Sequence, residues 1–329
     1  MTGIPDFWLR RGLAAYLLWP LALLFRAVVG LRRLGFQSGL FRSQRLPVPV
    51  IVVGNIFVGG TGKTPLVLWL AETLRARGRR PGIVTRGYGG SASSWPQAVT
   101  AQSDPAQVGD EPVLLARRSS CPVMAGPDRV GSGLALIEHH GCDCLISDDG
   151  LQHYALQRDL EIVVIDGKRG LGNGFLMPAG PLREPPARLR SVNLLLSNGG
   201  PSAWTAHHFS LRLDSARQLV DGGTGRALTD FAGQEVHAVS GIGNPQRFFD
   251  ALRTSGIKVI PHAFPDHHPF RSADLEFADG HPVLMTEKDA VKCEPFAKAH
   301  YWVVPARTEL STSTRQTLEA CLEHCLSSR

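Results

Sequence analysis

The stretch I-F-V-G-G-T-G-K-T, Ile56 to Thr64, decides the fold. It follows an apolar run, Val48 to Val53, and precedes Leu66, Val67, Leu70, Ala71 and Leu74 at helical spacing, so it stands at a strand-to-helix turn. A glycine-rich turn in that position points backbone N–H groups into a concavity that the positive end of the following helix completes, which makes a site for polyphosphate. Phe57, Val58, Gly59, Gly60, Thr61, Gly62, Lys63 and Thr64 would wrap the phosphates of ATP. Lys63 would reach the β- and γ-phosphates, and the Thr64 hydroxyl would ligate Mg²⁺. The general pattern G-x-x-x-x-G-K-[ST] asks for glycine where Phe57 stands, so a plain glycine-rich turn is the competing reading. The flanks weigh against it: Pro65 suits a first helical turn, and Gly78 stops the helix after Arg75 and Arg77.

Outward from this loop, apolar segments alternate with helical ones up to about Asn198, as in α/β proteins with parallel sheets. The strand candidates are Val48 to Val53, Gly82 to Thr85, Pro122 to Met124, Cys144 to Ser147, Glu161 to Ile165 and Val192 to Leu196. Phe209, Leu211 and Leu213 alternate within a connector that runs to a Gly-rich turn at Asp221 to Gly225. A second series follows: strands at Val236 to Ser240, Lys258 to Pro261, Val283 to Met285 and Tyr301 to Val304, with helices at Pro245 to Thr254 and Ser313 to Leu326. The expected fold is a phosphate-loop NTPase-like α/β/α sandwich with a second, smaller α/β/α domain and a short antiparallel β linker. Its divisions are a membrane-associating helix in 1–35, the phosphate-loop domain in 36–205, the linker in 206–233 and the smaller domain in 234–329.

With 329 residues, 43% of them hydrophobic, and a net charge of +6, the chain is an ordinary folded protein of about two domains. Arginines crowd the amino terminus (Arg10, Arg11, Arg26, Arg32, Arg33, Arg42, Arg45), which suggests an anionic surface there. No aromatic-basic pattern supports nucleic-acid binding. The six cysteines include no C-x-x-C pair and read as reduced core thiols of a cytosolic protein. Gly12 to Phe25 is uncharged and bracketed by Arg11 and Arg26. Fourteen residues fall short of the ~20 that cross a bilayer. An interfacial helix with a basic rim is the favoured reading, against a buried core helix or a true span. Pro20 would kink any of them.

Phosphoryl transfer needs carboxylates for Mg²⁺ as well as the loop. The apolar strand ending Ser147-Asp148-Asp149-Gly150 supplies two, although Asp-Asp-Gly is also turn chemistry. Asp110, in Gly109-Asp110-Glu111-Pro112, could cap a helix over Glu111 to Arg118 or accept a proton from an attacking hydroxyl. Pro265-Asp266-His267-His268-Pro269 concentrates imidazoles and a carboxylate in one loop. Thr286-Glu287-Lys288-Asp289 is either a capping box or a lysine aimed at phosphate.

Taken together, V-G-N-I-F-V-G-G-T-G-K-T-P, T-R-G-Y-G-G (Thr85 to Gly90), G-D-E-P, S-D-D-G-L-Q-H (Ser147 to His153), P-A-G-P-L-R-E-P (Pro178 to Pro185), F-P-D-H-H (Phe264 to His268) and T-E-K-D-A-V-K resemble the tetraacyldisaccharide 4'-kinases of lipid A biosynthesis. That family's loop similarly lacks the first glycine. The resemblance implies two α/β/α domains joined by a two-stranded linker, and transfer of the ATP γ-phosphate to an acylated glucosamine disaccharide 1-phosphate, giving lipid IVA. It implies Asp110 as base, His267 as its partner, and Arg129, Arg183 and Glu184 on the substrate side. A monomer on the cytoplasmic face of the inner membrane is expected. The rival is a membrane-associated phosphate-loop ATPase switch, but such switches carry a signature lysine where Val58 stands here.

Overall fold

A computed structural model describes residues 4–220, 223 and 225–327. The turn expected at Asp221 to Gly225 falls mostly outside the described residues. The first strands in chain order are β1 (Val50–Gly54), β2 (Pro81–Thr85), β3 (Gln97–Val99), β4 (Val123–Ala125), β5 (Cys144–Asp148), β6 (Leu160–Asp166), β7 (Leu194–Asn198) and β8 (His208–Leu213). There follow β9 (Ser215–Gln218), β10 (Gly225–Ala227), β11 (Glu235–Ser240), β12 (Lys258–Ala263), β13 (Val283–Thr286), β14 (Tyr301–Val304) and β15 (Ala306–Leu310). Two sheets result, a nine-stranded one in the order β15-β8-β7-β6-β1-β5-β2-β4-β3 and a six-stranded one in the order β10-β9-β14-β13-β11-β12.

The centre of the larger sheet is parallel and buried, which is why its strands read as unbroken apolar runs. β1 lies between β5 and β6 with Val53 opposite Asp148, so the phosphate loop emerges at the same sheet edge as the paired aspartates. Ligands of open α/β sheets bind at that edge. The helices are α1 (Asp6–Leu9), α2 (Leu13–Gln37), α3 (Lys63–Ala76), α4 (Pro105–Val108), α5 (Asp110–Ser119), α6 (Arg129–His140), α7 (Pro245–Thr254), α8 (Glu287–Cys293) and α9 (Thr312–Ser327). α3 starts at Lys63 and buries Leu66, Val67, Leu70, Ala71 and Leu74, the stripe that its periodicity predicts. Each such leucine contributes roughly 1.5–3 kcal/mol of transfer free energy.

The end of the chain does not stay with the second sheet. β15 pairs antiparallel with β8, and α9 packs Leu318, Leu322 and Cys325 into the same core as α3 and β1. The contiguous division at 234–329 therefore differs from the pairing, because Arg307, Glu309 and their neighbours form a short alternating strand too polar to stand out as one. The chain crosses between sheets twice, from β8 to β9 and from β14 to β15, and these crossings flank one antiparallel ladder.

α2 also departs from expectation. It is 25 residues long and continues through Pro20 and past Arg26, because Val28, Val29, Leu31 and Leu34 carry the apolar character beyond the uncharged segment. Ala15, Leu18, Ala22, Phe25 and Val29 face inward, and Ala22 joins Ile56, Phe57 and Leu182 in a core cluster. The outer face leaves Leu17, Leu21, Leu24, Val28 and Leu31 exposed, Leu17 by 70%. The segment before α2 is stitched to the loops between β6 and β7: Trp8 Nε1 donates to the Pro178 carbonyl at 2.9 Å, and Asn173 Nδ2 to the Phe7 carbonyl at 2.8 Å.

Candidate active site

The phosphate loop is held open by its neighbours rather than by its own side chains. Asn55 Nδ2 donates to the Gly59 carbonyl (3.2 Å) and to Thr61 Oγ1 (3.1 Å), and Asn198 Nδ2 donates to the Thr61 carbonyl (2.9 Å). Gly62, the residue before α3, has φ +88°, and a Cβ there would lie 2.1 Å from Asn198 Nδ2. Phe57, the residue that breaks the general pattern, is buried at 1% exposure and bridges Leu182, while the Val58 amide donates to the Pro181 carbonyl. The first glycine of the general pattern is thus replaced by an apolar anchor that fastens the loop to Pro178–Pro185.

Lys63 Nζ lies 3.3 Å from Asp149 Oδ1, and Arg183 Nη1 lies 3.1 Å from Asp149 Oδ2. Burial alone would raise the Asp149 pKa, but Lys63 and Arg183 outweigh it and hold the carboxyl well below the usual range. Asp148 behaves oppositely. It is 1% exposed, its Oδ1 has no hydrogen-bond partner among the described residues, and burial with the nearby charge of Glu111 pushes it up to about 7. Arg129 sits behind this pair at 3% exposure, donating to the Gly126 carbonyl at 3.0 Å. Burial brings its guanidinium down to about 10 against the pull of Asp149 and Asp148. Glu184 is also buried: Gln152 Nε2 (2.8 Å) and the Tyr154 hydroxyl donate to it, and Arg188 Nε lies 3.5 Å away. Of the residues expected on the substrate side, Arg183 alone is partly open, with 28% of its side chain exposed.

Across the cleft, Asp110 opens α5 after Gly109, and its Oδ1 accepts from the Glu111 amide at 2.8 Å. Asp110 is thus the first residue of the helix and not its cap, which is Gly109, and its carboxylate meets His267 Nδ1 at 2.9 and 3.2 Å. Lys288 Nζ lies 3.2 Å from His267 Nε2, 3.0 Å from Glu111 Oε1 and 2.9 Å from Asp266 Oδ1. An ammonium only donates, so Nε2 accepts, and the ring proton sits on Nδ1 and is donated to Asp110. Burial opposes ionisation of Asp110, yet the His267 hydrogen bond with Lys288 and Lys292 holds its pKa well below the usual carboxylate value. His267 has φ +61°, a left-handed backbone that costs roughly 1 kcal/mol or more, and Tyr88 lies against its ring at a centroid distance of 4.8 Å. His268 turns away to Asp274 at 3.1 Å. In Thr286–Asp289 the Thr286 hydroxyl caps α8, and Lys288 meets carboxylates.

A family model described as tetraacyldisaccharide-1-P 4'-kinase matches residues 14–324. The chain belongs to that family. It is 55% identical over 333 residues to the tetraacyldisaccharide 4'-kinase of Alkalilimnicola ehrlichii, covering all of both chains. It is 53% identical over 310 residues to that of Nitrosococcus oceani, covering 94% of this chain and 91% of the relative. A crystal structure of LpxK from Aquifex aeolicus in complex with ATP superimposes with a TM-score of 0.77 at 28% identity, over 95% of this chain and 99% of that one. The match to this kinase family extends through both sheets, so it covers the phosphate loop and the His267 loop alike.

Motif reading missed one part of the site. Asp166, at the end of β6 and 1% exposed, pairs with Arg169 (3.0 Å) and Arg247 (2.9 Å) and accepts from Asn244 Nδ2 (3.4 Å). Arg169 also donates to the carbonyls of Gly60 and Gly243. A Cβ on Gly243 would fall 2.3 Å from the Gly60 amide nitrogen, so the β11–α7 loop meets the phosphate loop backbone to backbone. The available signal was G-I-G-N, Gly241 to Asn244, directly after a predicted strand. Lys292, which lies 3.3 Å from Asp110, was legible only as the end of the T-E-K-D-A-V-K motif.

Proposed function

We propose that this chain transfers the γ-phosphate of ATP to the 4'-hydroxyl of tetraacyldisaccharide 1-phosphate, forming lipid IVA. The observation that carries the residue assignment is the place of Glu111: it is ion-paired with Lys288, which also meets His267 beside Asp110, and its charge acts on buried Asp148, the neighbour of the Asp149 that pairs with Lys63. Phosphoryl donor and hydroxyl acceptor can therefore meet in one low-dielectric cleft.

Residues Gly59 to Thr64 would bind the triphosphate through backbone N–H groups, Phe57 and Val58 being turned instead to Leu182 and Pro181, and Lys63 would leave Asp149 for the transferring phosphoryl group. Thr64, Asp148 and Asp149 would hold Mg²⁺, which when bound neutralises charge on the β- and γ-phosphate oxygens. The partnerless, buried Oδ1 of Asp148 fits a cation, whereas Asp149 is already paired with Lys63 and Arg183. Asp110 would accept a hydrogen bond from the sugar hydroxyl and orient its oxygen for in-line attack. Its low pKa makes it a weak base, which suits a loose transition state in which the hydroxyl proton leaves late. His267 fixes the carboxylate through Nδ1–H, and Lys288 fixes His267. Arg183 is the residue best placed to meet the acceptor.

The exposed apolar face of α2 is of the kind that docks on a membrane, where an acylated acceptor resides. A helix of 25 residues spans about 37 Å, so length alone permits a crossing. The inward stripe from Ala15 to Val29 packs on the protein body, which supports a helix lying in the cytoplasmic face of the inner membrane instead. The test is ATP consumption with and without the lipid disaccharide, with the phosphorylated product identified by mass. Acceptor-dependent turnover is expected, and vigorous ATP hydrolysis without any lipid would instead favour the ATPase-switch reading.

A further inference from the structure

The foot of α2 borders a cavity of about 400 Å³ that the phosphoryl-transfer reading does not use. Arg33, Phe36, Ser43, Tyr154, Arg158 and Arg188 line it. Its cationic character exceeds its acidic content. Arg158 and Arg188 share Glu161 at 2.9 and 2.5 Å, and Arg188 also meets Glu184. Arg33 has no carboxylate partner among the described residues; its Nη2 donates to Ser191 Oγ at 3.2 Å. Arg32 stacks over Phe36 and Tyr154 at 5.7 and 5.6 Å, and Arg158 lies over Tyr154 at 5.4 Å. Three guanidinium groups, of Arg33, Arg158 and Arg188, thus line the cavity against the single carboxylate of Glu161, at the end of a helix whose outer face is apolar.

We propose that this cavity binds the phosphate of an anionic phospholipid headgroup from the bilayer on which α2 rests. The inference builds on the reading of α2 as a membrane-surface helix. Arginine suits a phosphate diester because its planar donors match two phosphate oxygens at once, and aromatic stacking keeps the guanidinium groups in place. The apolar face of α2 would hold the acyl chains of the same lipid layer, so headgroup and tail are recognised by adjoining surfaces.

The test is flotation of the full chain with vesicles of phosphatidylcholine alone, and with phosphatidylglycerol added. Tighter binding to the phosphatidylglycerol vesicles is expected. Arg33→Gln should lose about tenfold of that preference, while Arg26→Gln, outside the cavity, should lose no more than the roughly fivefold that any single charge near an anionic surface contributes. Equal losses in both would show diffuse attraction and overturn the site. Complete competition by inorganic phosphate would make free phosphate the ligand. A rise in KM for the acceptor in detergent with Arg33→Gln would move the cavity to the substrate's own phosphate; either result overturns the lipid assignment. Flotation that ignores phosphatidylglycerol would reject the cavity alone, and no flotation with either vesicle would reject the membrane helix and the cavity together.

Discussion

The two sides of the cleft are built on different plans. Every brace of the phosphate loop at its Asn55, Asn198 and Pro181 contacts comes from the nine-stranded sheet and its loops. The Asp110 side is divided: the carboxylate stands on α5 of the larger sheet, while His267, Lys288 and Lys292 arrive from the smaller one. Nucleotide binding therefore belongs mainly to one layer, whereas acceptor activation exists only when both layers are in register. Substitutions should separate along that line.

The largest effect is expected from Lys63→Ala, which removes the cation from the transferring phosphoryl group and should lower kcat by roughly a hundredfold to a thousandfold while weakening ATP binding. Asp110→Asn comes next. It should reduce kcat by about 10²-fold with the Kd for ATP nearly unchanged, measured by turnover and by nucleotide titration; a matched loss of ATP affinity would break the division of labour. Lys288→Met leaves Glu111 and Asp266 without their shared ammonium and His267 without its Nε2 donor. A loss of about tenfold in kcat with little change in ATP Kd would place it with the acceptor side, and an equal loss in both would erase the distinction.

A smaller effect should come from acid. Asp110 titrates below its unfolded value, so the stability its ion pairs contribute is complete above about pH 4 and is lost as pH falls further. Asp110→Asn should accordingly flatten the acid limb of the stability curve, followed by circular dichroism. Thr286→Ala, which removes the α8 cap, should cost only about 1 kcal/mol, read as a modest fall in Tm. Any kcat change from that substitution would have to travel through Lys288.

The legibility of the chain follows the same division. Strands β1, β5 and β6, helix α3 and the loop between β1 and α3 could be read because apolar runs, helical periodicity and glycine chemistry are local signals. The Asp110–His267 contact spans 157 positions, and from the residues themselves it was only an even choice between cap and catalysis. Family resemblance supplied the pairing. β15 was missed because its alternation is short and charged, and with it the return of α9 to the first core. Glu184 and Arg129 were expected to meet substrate, yet burial shows them bracing neighbours, a distinction that motif identity does not encode. α2 proved longer than its uncharged run because arginine at a helix rim does not end a helix.

The paired crossings on the β8–β15 ladder have a consequence for dissection. One body consists of everything up to β8 plus β15 and α9, and the other is an insertion within it. A single nick between Leu213 and Ser215 would leave the halves tied by the peptide from Val304 to Ala306, and a fragment ending at Leu213 would lack the strand and helix that cover Phe209. No one cut yields two self-sufficient pieces; excising the inserted body, with the ends of β8 and β15 rejoined by a short turn, is the dissection the topology permits.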